Sequence, residues 1–297
     1  MYSKPQVTKG AHKIIWVAPA VLLLLTFVYY PVVESIRLSF YSWNAFNPNA
    51  TFVGILNYKN MFADSIFWRS FRNNISYALI SLFFQVFISL VLAALLEDVI
   101  GRKLRGLFRT IYFIPAAMSI TVVGILFSFI YSPQFGLVNS FLGKVGLSSW
   151  SHAWLGEEKT AMWSIIAMSQ WQSIGYCSVL FVVAIHRIPT ELFEAAEIDG
   201  AGKIRRFFSL TIPMVREMTA LLVIVTISGA FLVFNEVMVM TAGGPNNSSQ
   251  VLGTLLYRKA FFEDDMGYAS AVAVVMFVAT FAIAAVQIIV TKKQRES

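Results

Sequence analysis

Six stretches of this chain are each long and apolar enough to cross a lipid bilayer: residues 14–33, 75–96, 107–131, 161–185, 218–240 and 269–291. A helix needs about 20 mainly apolar residues, at about 1.5 Å rise each, to traverse the hydrocarbon. Backbone polar groups cannot be left unpaired in lipid, so continuous runs of this length read as helices and not as the alternating segments of a barrel. The expected fold class is therefore all-α, a polytopic membrane helix bundle with six transmembrane helices. Composition agrees, because 57% hydrophobic and 13% charged residues leave too few charges to cover a soluble domain of 297 residues.

Lys and Arg fix the orientation, since they accumulate on the cytoplasmic side. Lys4, Lys9 and Lys13 precede the first span; Arg102, Lys103, Arg105 and Arg109 follow the second; Arg187, Lys203, Arg205, Arg206 and Arg216 lie between the fourth and fifth; Lys292, Lys293 and Arg295 close the chain. That side holds fifteen basic residues and the opposite side eight. Both termini are thus expected in the cytoplasm, with tails at 1–13 and 292–297, a membrane domain over 14–291, and long outer loops near 34–74, 132–160 and 241–268. The small-residue stretch "APA" at 18–20 comes before the main apolar run and not after it, so the first span is expected to stay uncleaved. Sidedness accounts for the net charge of +7 without nucleic acid. Cys177 is the single cysteine, which excludes an intrachain disulfide and a cysteine-based metal cluster.

One segment breaks the apolar pattern. "EAAEIDGAGKIRRFFSLTIP", residues 194–213, packs three acids and three bases into its first thirteen positions. Thr190 offers an N-cap for a helix through "ELFEAAEID", with acids at its positive end; Asp199 and Gly200 stop it. Ile204, Phe207 and Phe208 then share a face until Pro213 interrupts the helix. Such a helix–turn–helix with one apolar face can lie on the membrane surface with Arg205 and Arg206 toward lipid phosphates, or it can dock a cytoplasmic protein.

Glu194, Ala195 and Ala196, followed after three residues by Gly200 and after nine more by Leu210-Thr211-Ile212-Pro213, resemble the "EAA" loop of permease subunits of bacterial and archaeal ATP-binding-cassette importers. The usual family ending is Ile-x-Leu-Pro, so Leu and Ile are exchanged here. "FNEVMVMTAGGPNNSSQVLGTLLYRKAF" (234–261), "GYASA" (267–271), "YYPVVESIRLSFYSWN" and "FVGILNYKNMF" are similar to maltose-type sugar permeases, and the likeness spans nearly the whole chain. The resemblance implies the type I importer permease fold in the plasma membrane of a bacterium or archaeon. It further implies a coupling loop over 186–217, with Glu194, Ala195, Ala196 and Gly200 as motif positions, Asp199 and Ala201 completing the turn, and Ile204, Phe207 and Phe208 as apolar contacts to an ATPase. Implied partners are a second homologous permease, two ATPase subunits that bind ATP and Mg, an extracytoplasmic solute-binding protein and a carbohydrate, all working in membrane lipid.

The chain itself is expected to bind no cofactor or metal and to catalyse nothing. "GAGKI" at 200–204 fails as a phosphate loop, because Glu197 stands where its first glycine is required and Ile204 where Ser or Thr is required. His12, His152 and His186 lack ligand or triad spacing.

Polar side chains within spans are costly and generally face protein or water. "SQWQSIGYCS" in the fourth span sets Gln172, Ser173 and Tyr176 on one face, and the fifth adds Asn235 and Glu236. Amides and hydroxyls beside an aromatic ring suit a sugar; equally, such groups can join helices by hydrogen bonds. The resemblance places Trp171, Ser173, Tyr176 and Asn235 in cavity-facing regions, while Glu236 could also serve a gate or an ion pair and Gln85 stays open. The rival function is an ion-coupled secondary transporter, which would call for inverted repeats and its own coupling site. A membrane scaffold or receptor would leave both the charged loop and the polar face unexplained.

Overall fold

The computed structural model describes residues 10–98 and 102–296, so the predicted tail positions Lys4 and Lys9 lie outside the described residues. Two compact units are distinguished, Met1–Ala63 with Arg258–Val275 and Asp64–Tyr257 with Met276–Ser297. Four helices are long and apolar enough to cross a membrane, and six spans result if each of two sharply bent helix pairs counts as one.

In the first unit, helix α1 runs from Gly10 to Leu24, widens through a π turn at Leu25–Tyr29 and continues over Tyr30–Leu38. Strands β1 (Tyr41–Asn44) and β2 (Asn47–Phe52) follow as an antiparallel hairpin, the one departure from the expected all-helical fold among the described residues. Helix α2 (Leu56–Ala63) carries buried Asn57, whose Nδ2 donates to the carbonyls of Ser39 and Tyr41 at 2.9 Å each and so fastens the hairpin. Gly267 of the "GYASA" motif is needed at the same place, because a Cβ there would sit 2.2 Å from the Tyr41 carbonyl oxygen. The backbone N–H of Ala45 completes the fastening by donating to Asp264 Oδ1 at 3.0 Å.

The second unit is built on α3, which runs over Ser65–Ser81, a π turn at Leu82–Ile88 and Ser89–Asp98, and is N-capped by Asp64 accepting from the Ile66 N–H. Helices α4 (Arg102–Ala117) and α5 (Ile120–Ile130) correspond to the expected span at 107–131, but they meet at 96°. Pro115 lies in the last turn of α4 and Ser119 is extended, which ends the helical ladder there. Helix α6 (Leu137–Lys144) leads to a turn, and α7 (Ala161–Ile185) is the most enclosed of the candidate spans. Gly175 lets α7 touch α4, since a Cβ there would fall 1.7 Å from the Tyr112 carbonyl oxygen.

The charged segment forms α8 (Thr190–Ile198) and α9 (Lys203–Arg206), the latter continuing through a wide turn, Phe207–Thr211, to Met214. Helix α10 (Arg216–Phe231) leaves at 70° to it. The expected span at 218–240 is interrupted, because α10 ends at Phe231 and α11 occupies only Asn235–Met240. Asn74 accounts for the break: its Nδ2 takes up the Ala230 carbonyl at 2.6 Å and its Oδ1 accepts the Leu252 N–H at 2.9 Å. Helix α12 (Leu252–Phe261) and the long α13 (Met266–Glu296) complete the chain. Two apolar cores stabilise this unit, one around Ile165, Met168 and Val237 and one around Phe181, Val182 and Leu222. Burial of each such side chain contributes about 1.5–3 kcal/mol against water, less against lipid.

Candidate functional site

Between α3, α7, α10 and α11 the second unit forms a half-open cavity of about 440 Å³. Gln172, Ser173 and Tyr176 of α7 line it, as their shared face in the sequence leads one to expect, and so do Asn235 and Glu236 of α11. Trp171 does not. It lies on an adjoining face of α7 and packs against Phe127, ring centroids 5.2 Å apart, because one residue along a helix turns the side chain by about 100°.

The break after Phe231 is what brings Asn235 and Glu236 to the cavity. Had α10 continued to Met240, the two would have followed the helical rotation of one straight span. Glu236 is buried, and its Oε1 accepts a hydrogen bond from the Tyr77 hydroxyl at 2.8 Å. That hydroxyl is also in hydrogen-bond contact with Ser169. Gln172, in turn, donates Nε2 at 2.9 Å to the Met118 carbonyl, which the α4–α5 bend leaves without a helical partner. Gln172 therefore both lines the cavity and satisfies the broken helix.

Sequence reasoning left Tyr77, Ser81, Ser169 and Thr226 unassigned and Gln85 ambiguous, yet all five line the cavity. Tyr77, Ser81 and Gln85 are spaced i, i+4, i+8 along α3, so one polar stripe on an apolar span was the available signal. Gln170 holds that stripe in place: its Nε2 donates to Ser81 Oγ at 3.1 Å, and its Oε1 accepts from Gln85 Nε2 at 3.0 Å.

On the predicted inner side, the α8–α9 turn has the backbone its sequence demands. Gly200 has φ +75°, and the N–H of Ala201 donates to the Ala196 carbonyl at 2.8 Å, the bond of a Schellman cap. Thr190 is the first helical residue and makes no capping bond, so the helix begins one residue earlier than its N-cap reading. Arg206 Nη1 lies 3.1 Å from Glu197 Oε2 and ties α9 to α8 across the turn. Glu194, Ala195, Asp199 and Gly200 are exposed, and Ala196 and Ala201 partly so.

Of the apolar stripe, Ile204 and Phe208 are exposed. Phe207 is half-buried against the core around Phe181 and Leu222. Ile204, Phe207 and Phe208 together line an apolar groove of about 340 Å³ whose other wall is Phe87, Val91, Ala94 and Leu95 of α3. The α-helical ladder stops at Arg206, and a wide turn carries the chain on from Phe207 to Thr211. Leu192 and Ile198 are the large apolar residues that α8 leaves exposed.

Residues 85–296 match the family model described as "Binding-protein-dependent transport system inner membrane component". The chain belongs to this family. As a transport-system membrane component it is 47% identical over 282 residues to the probable ABC transporter permease protein YurN of Bacillus subtilis (strain 168), covering 95% of this chain and 96% of that one. The diacetylchitobiose uptake system permease protein NgcF of Streptomyces coelicolor is 34% identical, covering 91% of this chain and 79% of that protein. Among solved structures, a bacterial ABC transporter involved in the import of the acidic polysaccharide alginate superposes with a TM-score of 0.82 at 23% identity over 94% of each chain, a likeness of fold. The transport component is thus a multi-pass permease with the architecture of ABC importer membrane subunits.

Proposed function

We propose that this permease carries a carbohydrate into the cytoplasm through the cavity between α3, α7, α10 and α11, driven by ATP hydrolysis in partner subunits. The observation that supports this most is the lining. Within an apolar span bundle, amides, hydroxyls and tyrosines converge on one cavity, the mixture that can replace the water around a sugar's hydroxyl groups. Relatives named for oligosaccharide uptake favour the same substrate class.

The coupling element is α8 with its Gly200 turn: Glu194, Ala195 and the exposed Leu192 and Ile198 are seated on an ATPase subunit, with Asp199, Gly200 and Ala201 holding the turn. Phe193 and Phe207, which pack onto the core around Phe181, carry the movement inward. Ile204 and Phe208, left exposed beside α3, add apolar contact to the ATPase. ATP and Mg belong to the ATPase pair, and an extracytoplasmic binding protein delivers the solute to this chain and a second permease. Closure of the ATPase pair then shifts the inward-open and outward-open populations through the docked helices.

The test is uptake of labelled oligosaccharides into vesicles holding the complete transporter. ATP-dependent, vanadate-sensitive uptake is expected, and Glu194→Arg or Gly200→Pro should release the ATPase or uncouple hydrolysis from uptake. Uptake that ran on a proton gradient without ATP would instead establish an ion-coupled carrier.

A further inference from the structure

We propose that Glu236 makes the cavity selective for sugars that carry a positive charge, such as amino sugars or sugars bearing an amine substituent. The inference rests on reading this cavity as the translocation path.

Two carboxylates in the second unit are largely withdrawn from solvent, and they are treated in opposite ways. Glu97, at the inner end of α3, meets Arg105, Arg109 and His186. Glu236 meets no base among the described residues. Among the described residues its hydrogen bonding is confined to Tyr77, and no Lys, Arg or His is found among the residues lining the cavity. A carboxylate taken out of water without a countercharge is costly, and the neighbouring hydroxyl offsets only part of that cost. The fold can readily supply arginines to a carboxylate, as Glu97 shows, but leaves this one open to the cavity.

A substrate ammonium entering the cavity supplies the absent charge, whereas a uronate or phosphorylated sugar meets repulsion in a poorly screened space. The neutral groups beside it, Asn235, Gln172 and Ser173, have no charge preference and serve the hydroxyls. Tyr176 adds an aromatic face of the kind that attracts cations. Charge selection thus falls to one residue, and specificity against anions comes from repulsion as much as from attraction.

The experiment uses the complete transporter in proteoliposomes and three sets of mono- and disaccharides matched in skeleton: glucosamine forms, their neutral N-acetyl counterparts, and uronates. The wild type should take up the amine-bearing set at least about tenfold faster than the uronates. Glu236→Gln should lower uptake of the amine-bearing set about tenfold while leaving the N-acetyl set within about twofold, and Glu236→Asp should keep the preference. Equal uptake of amines and uronates by the wild type, or an unchanged ratio in Glu236→Gln, overturns the proposal and leaves the carbohydrate reading intact. If none of the sugars is taken up or stimulates ATP hydrolysis, the carbohydrate reading itself fails and takes this proposal with it.

Discussion

His186 Nε2 lies 2.8 Å from the Oε2 of Glu97, joining the residue that caps α7 to the inner end of α3. Arg105 Nη1 reaches the same oxygen at 3.0 Å, and Arg109 pairs with Oε1. The network therefore ties the ends of α3 and α7 to α4 shortly before the charged segment begins. Glu97→Gln should leave two guanidinium groups without their counter-ion. Both arginines are about one-third exposed, so screening reduces the cost to about 1–2 kcal/mol, below that of a fully buried pair. A lowered thermal midpoint of the detergent-solubilised protein, with little further loss in the Glu97→Gln/Arg109→Gln double variant, is the expected result.

Asn74 offers a more severe test. It is fully buried and serves two backbone groups that have no helical partner, the Ala230 carbonyl and the Leu252 N–H. Asn74→Ala removes both bonds and strands both groups, each at about 1–3 kcal/mol. Loss of folded protein on expression is expected. Asn74→Asp should fail as well, because its carboxylate keeps the Leu252 bond but is an unpaired buried charge held against the Ala230 carbonyl oxygen. The yield of folded protein for the two variants, each against the wild type, checks both expectations.

The long-range character of that bond shows what the sequence could and could not disclose. The apolar runs reveal themselves because bilayer thickness sets their length, and the Gly200 turn because only one residue type adopts its backbone without strain. The break at 232–234 left no such mark. No proline or glycine sits there; it depends on Asn74, about 156 positions away along the chain. Gln172, Ser173 and Tyr176 were legible as a face of one helix, whereas Trp171 followed the family likeness and proved to lie on the neighbouring face. Tyr77 could be connected to Glu236 only once α3 and α11 were placed side by side.

Gly175 and Gly106 form a matched pair for testing the closeness of α4 and α7. A methyl group at Gly175 would overlap the Tyr112 carbonyl oxygen at 1.7 Å, a backbone atom that cannot turn away. Gly106, also helical, has open space where a Cβ would go. Gly175→Ala should therefore lower stability by about 1–3 kcal/mol or more, while Gly106→Ala should be neutral or gain about 0.5–1 kcal/mol from helix propensity. The thermal midpoint should fall for Gly175→Ala and hold or rise for Gly106→Ala, and equal responses would contradict the described approach of the two helices.

Glu157 links pH to the outer loop before α7. Its Oε1 accepts the Ala153 N–H at 2.9 Å, and its Oε2 lies 3.0 Å from His152 Nδ1. The backbone bond from Ala153 is the largest influence, and together with the weaker histidine contacts it holds this carboxyl below the usual carboxylate range against desolvation, which acts the other way and exceeds either histidine contact. A group whose pKa is lowered by folding stabilises the fold while it is ionised, so its contribution is complete above the ordinary Glu value and disappears as the pH falls through the lowered one. The turn at 153–160 should accordingly loosen on acidification below that value while staying unchanged between neutral pH and the ordinary Glu range. Hydrogen exchange at the Ala153 amide should accelerate in that acidic window relative to the intrinsic rate. In Glu157→Gln the pH dependence should vanish, because an amide oxygen accepts the same N–H but does not titrate.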